Sequence, residues 1–362
     1  MVLVFRILNT FVIKVFKGMS MENSVWQLIK DLDQKKGITE IVINTPEKVF
    51  VERDGQFIQL NVQILKDDLL SFANEVAELN NREFNNKNPI LDGKLPDGSR
   101  INIIAEPYGH ASMAVTIRKY IKSIKSFEDN PSLFGLNIKW VEFFKAVVSS
   151  RQNVIVSGGT GVGKTTFINL LLNELSLADR VITIEDTLEL TLDVPNVVRL
   201  EVFSSTGELS GLTARELVKN TLRMRPDRII VGELRGGELF DLLQAMNTGH
   251  DGSMSSIHAN STGECISRME NLFLMAGFEV PFKVIRKQIA QGVDFIVQLG
   301  RNREGERVVN QIMEITGMEG ANILTSQIAV REEESLVSTG ISPKNMDSLN
   351  KMGGLPRDFF SE

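Results

Sequence analysis

Apolar and polar positions change period repeatedly along the chain. In VFVERDGQFIQL they alternate in period two on both sides of Asp54-Gly55, which predicts a β-hairpin. DDLLSFANEVAELN shifts to helical spacing, with Leu69, Leu70, Ala73, Val76, Ala77 and Leu79 as a broad apolar stripe. LPDGSRINIIAE and ASMAVTIRKY read as strands, the first opened by the turn Pro96-Asp97-Gly98. The texture turns polar over 123–136, SIKSFEDNPSLFGL, where Asn130-Pro131 and Gly135 mark a domain boundary. Beyond it NVIVSG, VITIED, RIIVGE and GSMSSIHA are short β-rich runs separated by helical patterns. That alternation predicts a largely parallel sheet covered by helices.

The expected organisation is an apolar segment at 1–19, a small α/β domain at 20–122 and a linker at 123–136. A larger α/β domain follows at 137–325, and the weakly patterned residues 326–362 are expected as a polar, loosely ordered tail. MVLVFRILNTFVIKVFKG is interrupted by Arg6, Lys14 and Lys17 and is too short to span a bilayer. It reads as a buried or partner-packed segment, a start set before Met19 or Met21, or a peripheral membrane contact.

The 362 residues are 42% hydrophobic and 24% charged, an ordinary globular composition long enough for two domains. A net charge of -6 speaks against nucleic-acid binding by general electrostatics. The single cysteine, Cys265, excludes an internal disulfide and a multi-cysteine zinc site.

SGGTGVGKTT stands between the apolar run VIV and the helical run FINLLLNEL. Gly158, four residues, then Gly163, Lys164 and Thr165 fit the P-loop spacing in its strand–loop–helix context. Glycines let backbone N–H groups turn around phosphate oxygens, and the helix N-terminus adds its dipole. Lys164 is expected along the β/γ-phosphates and Thr165 on Mg²⁺, with Gly159, Thr160, Gly161, Val162 and Thr166 completing the loop. The two Asn-Lys pairs lack the Asp of a guanine reader, which favours ATP.

VITIED ends in Glu185 and Asp186, and RIIVGE ends in Gly232-Glu233. In a parallel sheet both ends project at the edge where ligands bind, and carboxylates there orient water or hold hydrated Mg²⁺. Glu233 is the first choice for activating the attacking water and Glu185 the second. Arg199, Arg215, Arg223, Arg225 and Arg235 flank these strands, while Arg100 and Arg118 lie in the first domain. A cation that offsets charge at the γ-phosphate is sought among them.

Taken together, GGTGVGKTT, VITIEDTLEL, LRMRPDRIIVGELRGGE and TGHDGSMSSIHANS resemble, in order and spacing, the Walker A, Asp box, Walker B and His box of the type II/type IV secretion ATPases. TEIVINTPEKVFVERDG, LPDGSRINII and TIRKY are similar to that family's N-terminal domain, so the resemblance covers roughly residues 25–320. TIEDTLEL and NTLRMRPDRIIVGELRG are most like the CpaF-type branch, which powers tight-adherence pilus assembly. The tetracysteine zinc module of other branches is absent, and so is the longer N-terminal extension common in CpaF-type chains.

The resemblance implies a RecA-like ATPase domain behind a smaller PAS-like α/β domain. It also implies a cytoplasmic homohexamer at the inner-membrane face, with ATP between the domains and a membrane platform protein as partner. By motif, Lys164 and Thr165 bind phosphate and Mg²⁺, Glu185 and Asp186 form the acidic box, and Glu233 is the Walker B acid. His250 and His258 form the His box, and Arg100 and Arg118 match arginines that reach the nucleotide. A type IV secretion role, a RecA-like nucleic-acid motor and a non-hydrolysing regulatory subunit stand as alternatives, and no direct nucleic-acid partner is expected.

The histidines are placed by their surroundings. Leu239, Leu242, Leu243 and Met246 fall at i, i+3, i+4 and i+7, so GGELFDLLQAMNTGH is a helix stopped at Gly249. SMSSIHA follows as a buried strand, and Ser261 with Glu264 reads as a capping box. His258 is then expected beside Glu233 as a nucleotide sensor, and His250 in the loop leading in. Zinc lacks the further ligands it needs.

Overall fold

The computed structural model describes residues 24–35, 37–53, 55–106, 108, 113–119, 126–128, 132–202, 211–277 and 279–361. The apolar start at 1–19, Asp54 of the hairpin turn and Asn130-Pro131 of the boundary lie outside the described residues. The chain divides into two compact units, Met1–Lys122 and Ser123–Glu362, each built on its own sheet.

The first unit runs α1 (Ser24–Asp33), β1 (Ile38–Thr45), β2 (Lys48–Arg53), β3 (Gln56–Leu60), α2 (Lys66–Leu79), β4 (Ile90–Lys94), β5 (Arg100–Ile104) and β6 (Ala114–Arg118). Its strands pair antiparallel in the order β3-β2-β1-β6-β5-β4. Period-two alternation sends Ile41, Ile43, Val49, Val51, Val115 and Ile117 to one face, where α1 and α2 cover them. On α2 the buried residues are Leu69, Phe72, Ala73, Val76 and Ala77, at i, i+3, i+4, i+7 and i+8. Leu70 and Leu79, expected in this stripe, sit at its margins and are 51% and 56% exposed; Phe72 fills the centre instead.

The second unit begins with α3 (Ile138–Ser149), β7 (Val154–Ser157), α4 (Lys164–Leu172), β8 (Val181–Glu185), β9 (Val197–Glu201) and α5 (Ala214–Thr221). It continues with β10 (Arg228–Val231), α6 (Glu238–Met246), β11 (Met254–Ile257), α7 (Thr262–Leu274) and α8 (Phe282–Gly292). It ends with β12 (Phe295–Arg301), β13 (Arg307–Glu319), β14 (Asn322–Glu332), β15 (Ser335–Ser338) and α9 (Met346–Gly353). Strands β12, β7, β11, β10, β8 and β9 lie side by side and parallel, and β13, β14 and β15 extend the sheet antiparallel from β12. The central strands are buried throughout because both faces are covered, and their interior is apolar apart from a few residues such as Thr183, Ser255 and Ser256. Val154, Val156 and Ile230 pack on the face of α3 and α4, while Ile155, Ile229 and Val231 pack on the face of α5 to α8.

The loose tail expected at 326–362 is a correction: this segment supplies most of β14, all of β15 and α9. Its sparse apolar residues are its anchors. Leu336, Leu349, Leu355, Phe359 and Phe360 enter the cluster around Trp140 and Phe143, and the Trp140 indole N–H donates to the Leu336 carbonyl at 2.6 Å. The linker expected at 123–136 is likewise partly core. Phe127, Phe134 and Leu136 are buried, and Phe134 meets Phe167 edge-on at 5.1 Å between centroids. Among the described residues no helix is long and apolar enough to cross a membrane.

Candidate active site

Strand β7 ends at Ser157 and α4 begins at Lys164, so Gly158–Gly163 must reverse the chain within six residues. Gly161 (φ 72°) and Gly163 (φ 92°) take the left-handed backbone that only glycine adopts freely. A Cβ on Gly158 would fall 2.6 Å from Val162 Cγ2, and one on Gly163 would fall 3.0 Å from the Phe134 ring. The loop therefore needs glycine at these places. Thr165 and Thr166 stand half-buried in the first turn of α4.

Lys164 is 8% exposed. Its ammonium donates to the carbonyls of Gly158 and Gly159, each at 3.0 Å, and lies 3.3 Å from the His258 ring. Parallel pairing of β7 with β11 and of β11 with β10 brings Lys164, His258 and Glu233 to one sheet edge. The Ser256 hydroxyl holds the Gly232 carbonyl at 2.7 Å, and the Leu234 N–H donates to the Ser256 carbonyl at 2.8 Å. This fixes the turn that carries Glu233.

His258 Nε2 lies 2.5 Å from Glu233 Oε1, although no donor is aligned for a hydrogen bond to that oxygen. Burial, and then the Lys164 charge, push the His258 imidazole below its ordinary pKa, against the pull of Glu233. Arg235 grips Glu233 Oε2 through Nε at 2.7 Å and Nη2 at 2.5 Å, and reaches Asp186 Oδ2 through Nη1 at 2.7 Å. Lys164, His258, Glu233, Arg235 and Asp186 thus form one chain of contacts.

Glu185 is placed differently from the expectation of a water-activating or Mg²⁺-holding group. It is 3% exposed, and its Oε2 accepts the backbone N–H groups of Glu189 and Leu190, each at 2.7 Å. Oε1 accepts the Thr183 hydroxyl at 3.1 Å, with Arg199 at 3.7 Å. Desolvation raises its pKa against these stabilising contacts. Its carboxylate is committed to holding the loop after β8.

His250 is a correction too. It precedes β11, whereas the phosphate loop follows the other end of the parallel strand β7, so the length of the strand separates the two histidines. Its Nδ1 sits 3.2 Å from the Ala245 carbonyl, and its own carbonyl accepts the Ser253 hydroxyl at 2.7 Å. Its loop is further tied by Asn153, whose side-chain oxygen accepts the Gly252 and Ser253 N–H groups. This is the packing of a helix C-terminus.

In the first unit Arg100 and Arg118 are cross-strand partners on β5 and β6, with Glu40 opposite Arg118 on β1, so all three share a sheet face. Arg215 is spent on Asp241 at 2.8 Å and the Ala276 carbonyl at 2.7 Å. Arg301 is the group that sequence reasoning missed: its Nη2 donates to the Gly161 carbonyl at 3.0 Å. The only signal was the turn RNREGER, which carries no phosphate-loop motif.

Left-handed glycines, a buried lysine and a threonine at a helix N-terminus suit a polyphosphate with a hydrated divalent cation. Among the described residues no three His, Cys, Asp or Glu side chains cluster to hold a metal by themselves. A P-loop at the end of a central parallel strand, with an acid just past the end of a nearby strand, defines a P-loop nucleoside-triphosphate-binding protein.

Comparison with known proteins agrees. Residues 22–331 match the family described as "Type II/IV secretion system protein". The conjugal transfer protein TrbB of Rhizobium radiobacter is 32% identical over 305 residues, 83% of this chain and 91% of its own. The type IV secretion system protein VirB11 of Brucella suis is 33% identical over 294 residues, 72% of this chain and 81% of its own. Two solved structures share the fold at 20% identity. The ATPase DotB of Legionella pneumophila has TM-score 0.56 over 82% of this chain and 81% of its own, and the ADP-bound pilus retraction motor PilT has 0.57 over 92% and 88%. The chain belongs to the type II/IV secretion system protein family, with an N-terminal α/β domain and a RecA-like P-loop domain.

Proposed function

We propose that this secretion ATPase is a Mg²⁺-dependent hexameric motor that couples ATP hydrolysis to movement of its two domains, working at the inner face of the inner membrane on a membrane platform protein. The observation that carries the chemistry is the unbroken contact chain Lys164–His258–Glu233–Arg235 at the end of the parallel strands.

Lys164 trades the carbonyls of Gly158 and Gly159 for phosphate oxygens, and the N–H groups of Gly159 to Thr166 surround the same charge. Thr165 would hold the cation by its hydroxyl, and Glu233 would act through the hydration shell. Bound Mg²⁺ supplies charge neutralisation at the transferred phosphoryl group. Glu233 orients the attacking water and accepts its proton. His258, kept neutral by burial and by Lys164, donates toward Glu233 or phosphate and so reports which is present. Arg235 aligns Glu233 with Asp186, and Glu185 holds the acidic loop.

The branch we favour is tight-adherence pilus assembly of the CpaF type, from TIEDTLEL and NTLRMRPDRIIVGELRG. The similarity to the conjugal transfer protein TrbB and the type IV secretion system protein VirB11 supports a type IV secretion role as the second reading.

Phosphate release from ATP by the full chain tests the chemistry. Turnover that disappears on chelation and in Lys164→Ala supports it, and undiminished turnover in Lys164→Ala overturns it. Membrane proteins captured by Glu233→Gln in its own host separate the branches: a pilus platform supports the first reading, and a conjugation-type channel the second.

A further inference from the structure

Strands β12 and β13 end in a hairpin that leans on the phosphate loop. Arg301, the last residue of β12, and Arg307, the first of β13, are cross-strand partners. The Arg301 guanidinium donates through Nη2 to the Gly161 carbonyl at 3.0 Å and through Nη1 to the Gly305 carbonyl at 2.6 Å. It ties the loop to the turn of the hairpin. Arg307 runs beside the other left-handed glycine: a Cβ on Gly163 would lie 3.0 Å from Arg307 Cδ.

In a trans peptide the carbonyl and the N–H that follows point in opposite directions. Holding the Gly161 carbonyl outward on Arg301 therefore aims the Val162 N–H to the other side of the peptide plane. Glycine alone does not make this choice, because Gly161 tolerates many backbone angles. Arg301 limits that freedom with one charge-assisted bond to the Gly161 carbonyl, while its second bond, to the Gly305 carbonyl, fixes the guanidinium in the hairpin.

We propose that Arg301 is a positioning residue for nucleotide binding: it orients the Gly161–Val162 peptide so that the loop presents its amides to phosphate before the nucleotide arrives. It acts through the backbone and sets affinity, while Glu233 sets the chemical step. The proposal rests on the ATPase reading above.

The test compares full-length wild type with Arg301→Ala, Arg301→Lys and, as a control on the same hairpin, Arg303→Ala. Steady-state ATP turnover, affinity for a fluorescent ADP analogue and thermal melting are measured on each. Losing a charged hydrogen bond predicts a rise of about tenfold in KM for ATP and in the ADP Kd for Arg301→Ala. The kcat is expected to stay within about twofold, because the interaction is made equally in ground and transition states. Arg301→Lys restores part of the affinity, since a point charge keeps one of the two contacts, and it carries the test if Arg301→Ala melts early. Arg303→Ala leaves KM and Kd unchanged. Wild type without turnover rejects the ATPase reading. Active wild type beside Arg301→Ala and Arg301→Lys with unchanged KM and Kd overturns the role of Arg301 alone.

Discussion

Glu233 Oε1 and His258 Nε2 stand 2.5 Å apart just past the ends of neighbouring parallel strands, with the Lys164 ammonium 3.3 Å from the same imidazole. An acid, a neutral base and a fixed cation so close together give the edge of this sheet a proton acceptor next to a phosphate-binding charge. If Glu233 takes the proton of the attacking water, Glu233→Gln keeps the shape and removes the base. We expect kcat to fall by about 100-fold or more while ADP still binds. Phosphate release together with nucleotide binding checks this, and turnover within a few-fold of wild type would remove Glu233 from the chemistry.

Arg235 has a separable effect. Its fork holds one oxygen of Glu233 through two N–H groups and one of Asp186 through a third. Lysine offers a point charge and cannot make all three contacts. Arg235→Lys is expected to lower kcat by about tenfold with KM changed less than about twofold, because Glu233 loses alignment. A rise in kcat would mean that Arg235 restrains the acid.

How much of this was legible in the sequence depended on how local each determinant is. The turn at Gly158–Gly163, the strands feeding it and the adjacency of Glu233 and His258 follow from short apolar runs and glycine positions. The edge on which His250 sits was hidden by the brevity of the motif TGHDGSMSSIHANS. Its two histidines are eight residues apart, but the four-residue strand between them spans about 13 Å. Arg301 and Arg307 are far from the phosphate loop in sequence, and only the pairing of β12 with β7 brings them there. The C-terminal segment misled for a similar reason: its anchors are few, and Leu336, Phe359 and Phe360 find partners roughly two hundred residues away.

Phe360 tests that last point. It is 2% exposed and packs against Phe143 at 5.9 Å and Phe359 at 4.8 Å between centroids, and its carbonyl accepts the Ser338 hydroxyl at 3.1 Å. Truncation to alanine opens a cavity under α3. Phe360→Ala is expected to cost about 3 kcal/mol, or roughly 6–12 °C in the melting temperature of this unit. Thermal denaturation of the full chain reads the change, and a shift under about 2 °C would mean that the terminal aromatics are not part of the core.

Asp294 links the same segment to pH. Its Oδ2 accepts the Asn153 N–H at 2.8 Å and its Oδ1 the Asn345 amide at 3.2 Å, just before α9. Desolvation pushes its pKa up to about 6, with Asp251 adding to the rise and the Asn153 and Asn345 bonds and Lys344 opposing it. Glu314, also raised by burial, accepts the Lys344 N–H at 3.0 Å from the same stretch. With its folded pKa above the unfolded one, Asp294 binds more protons in the folded chain between about pH 4 and pH 6. Its contribution is therefore favourable below that window and is lost as pH rises through it. Asp294→Asn cannot ionise, so the stability of the variant relative to wild type should improve from pH 4 to pH 6.5, by at most about 3 kcal/mol. Denaturant unfolding at several pH values measures this difference directly, and a difference that does not vary with pH would show that Asp294 stays ionised in the fold.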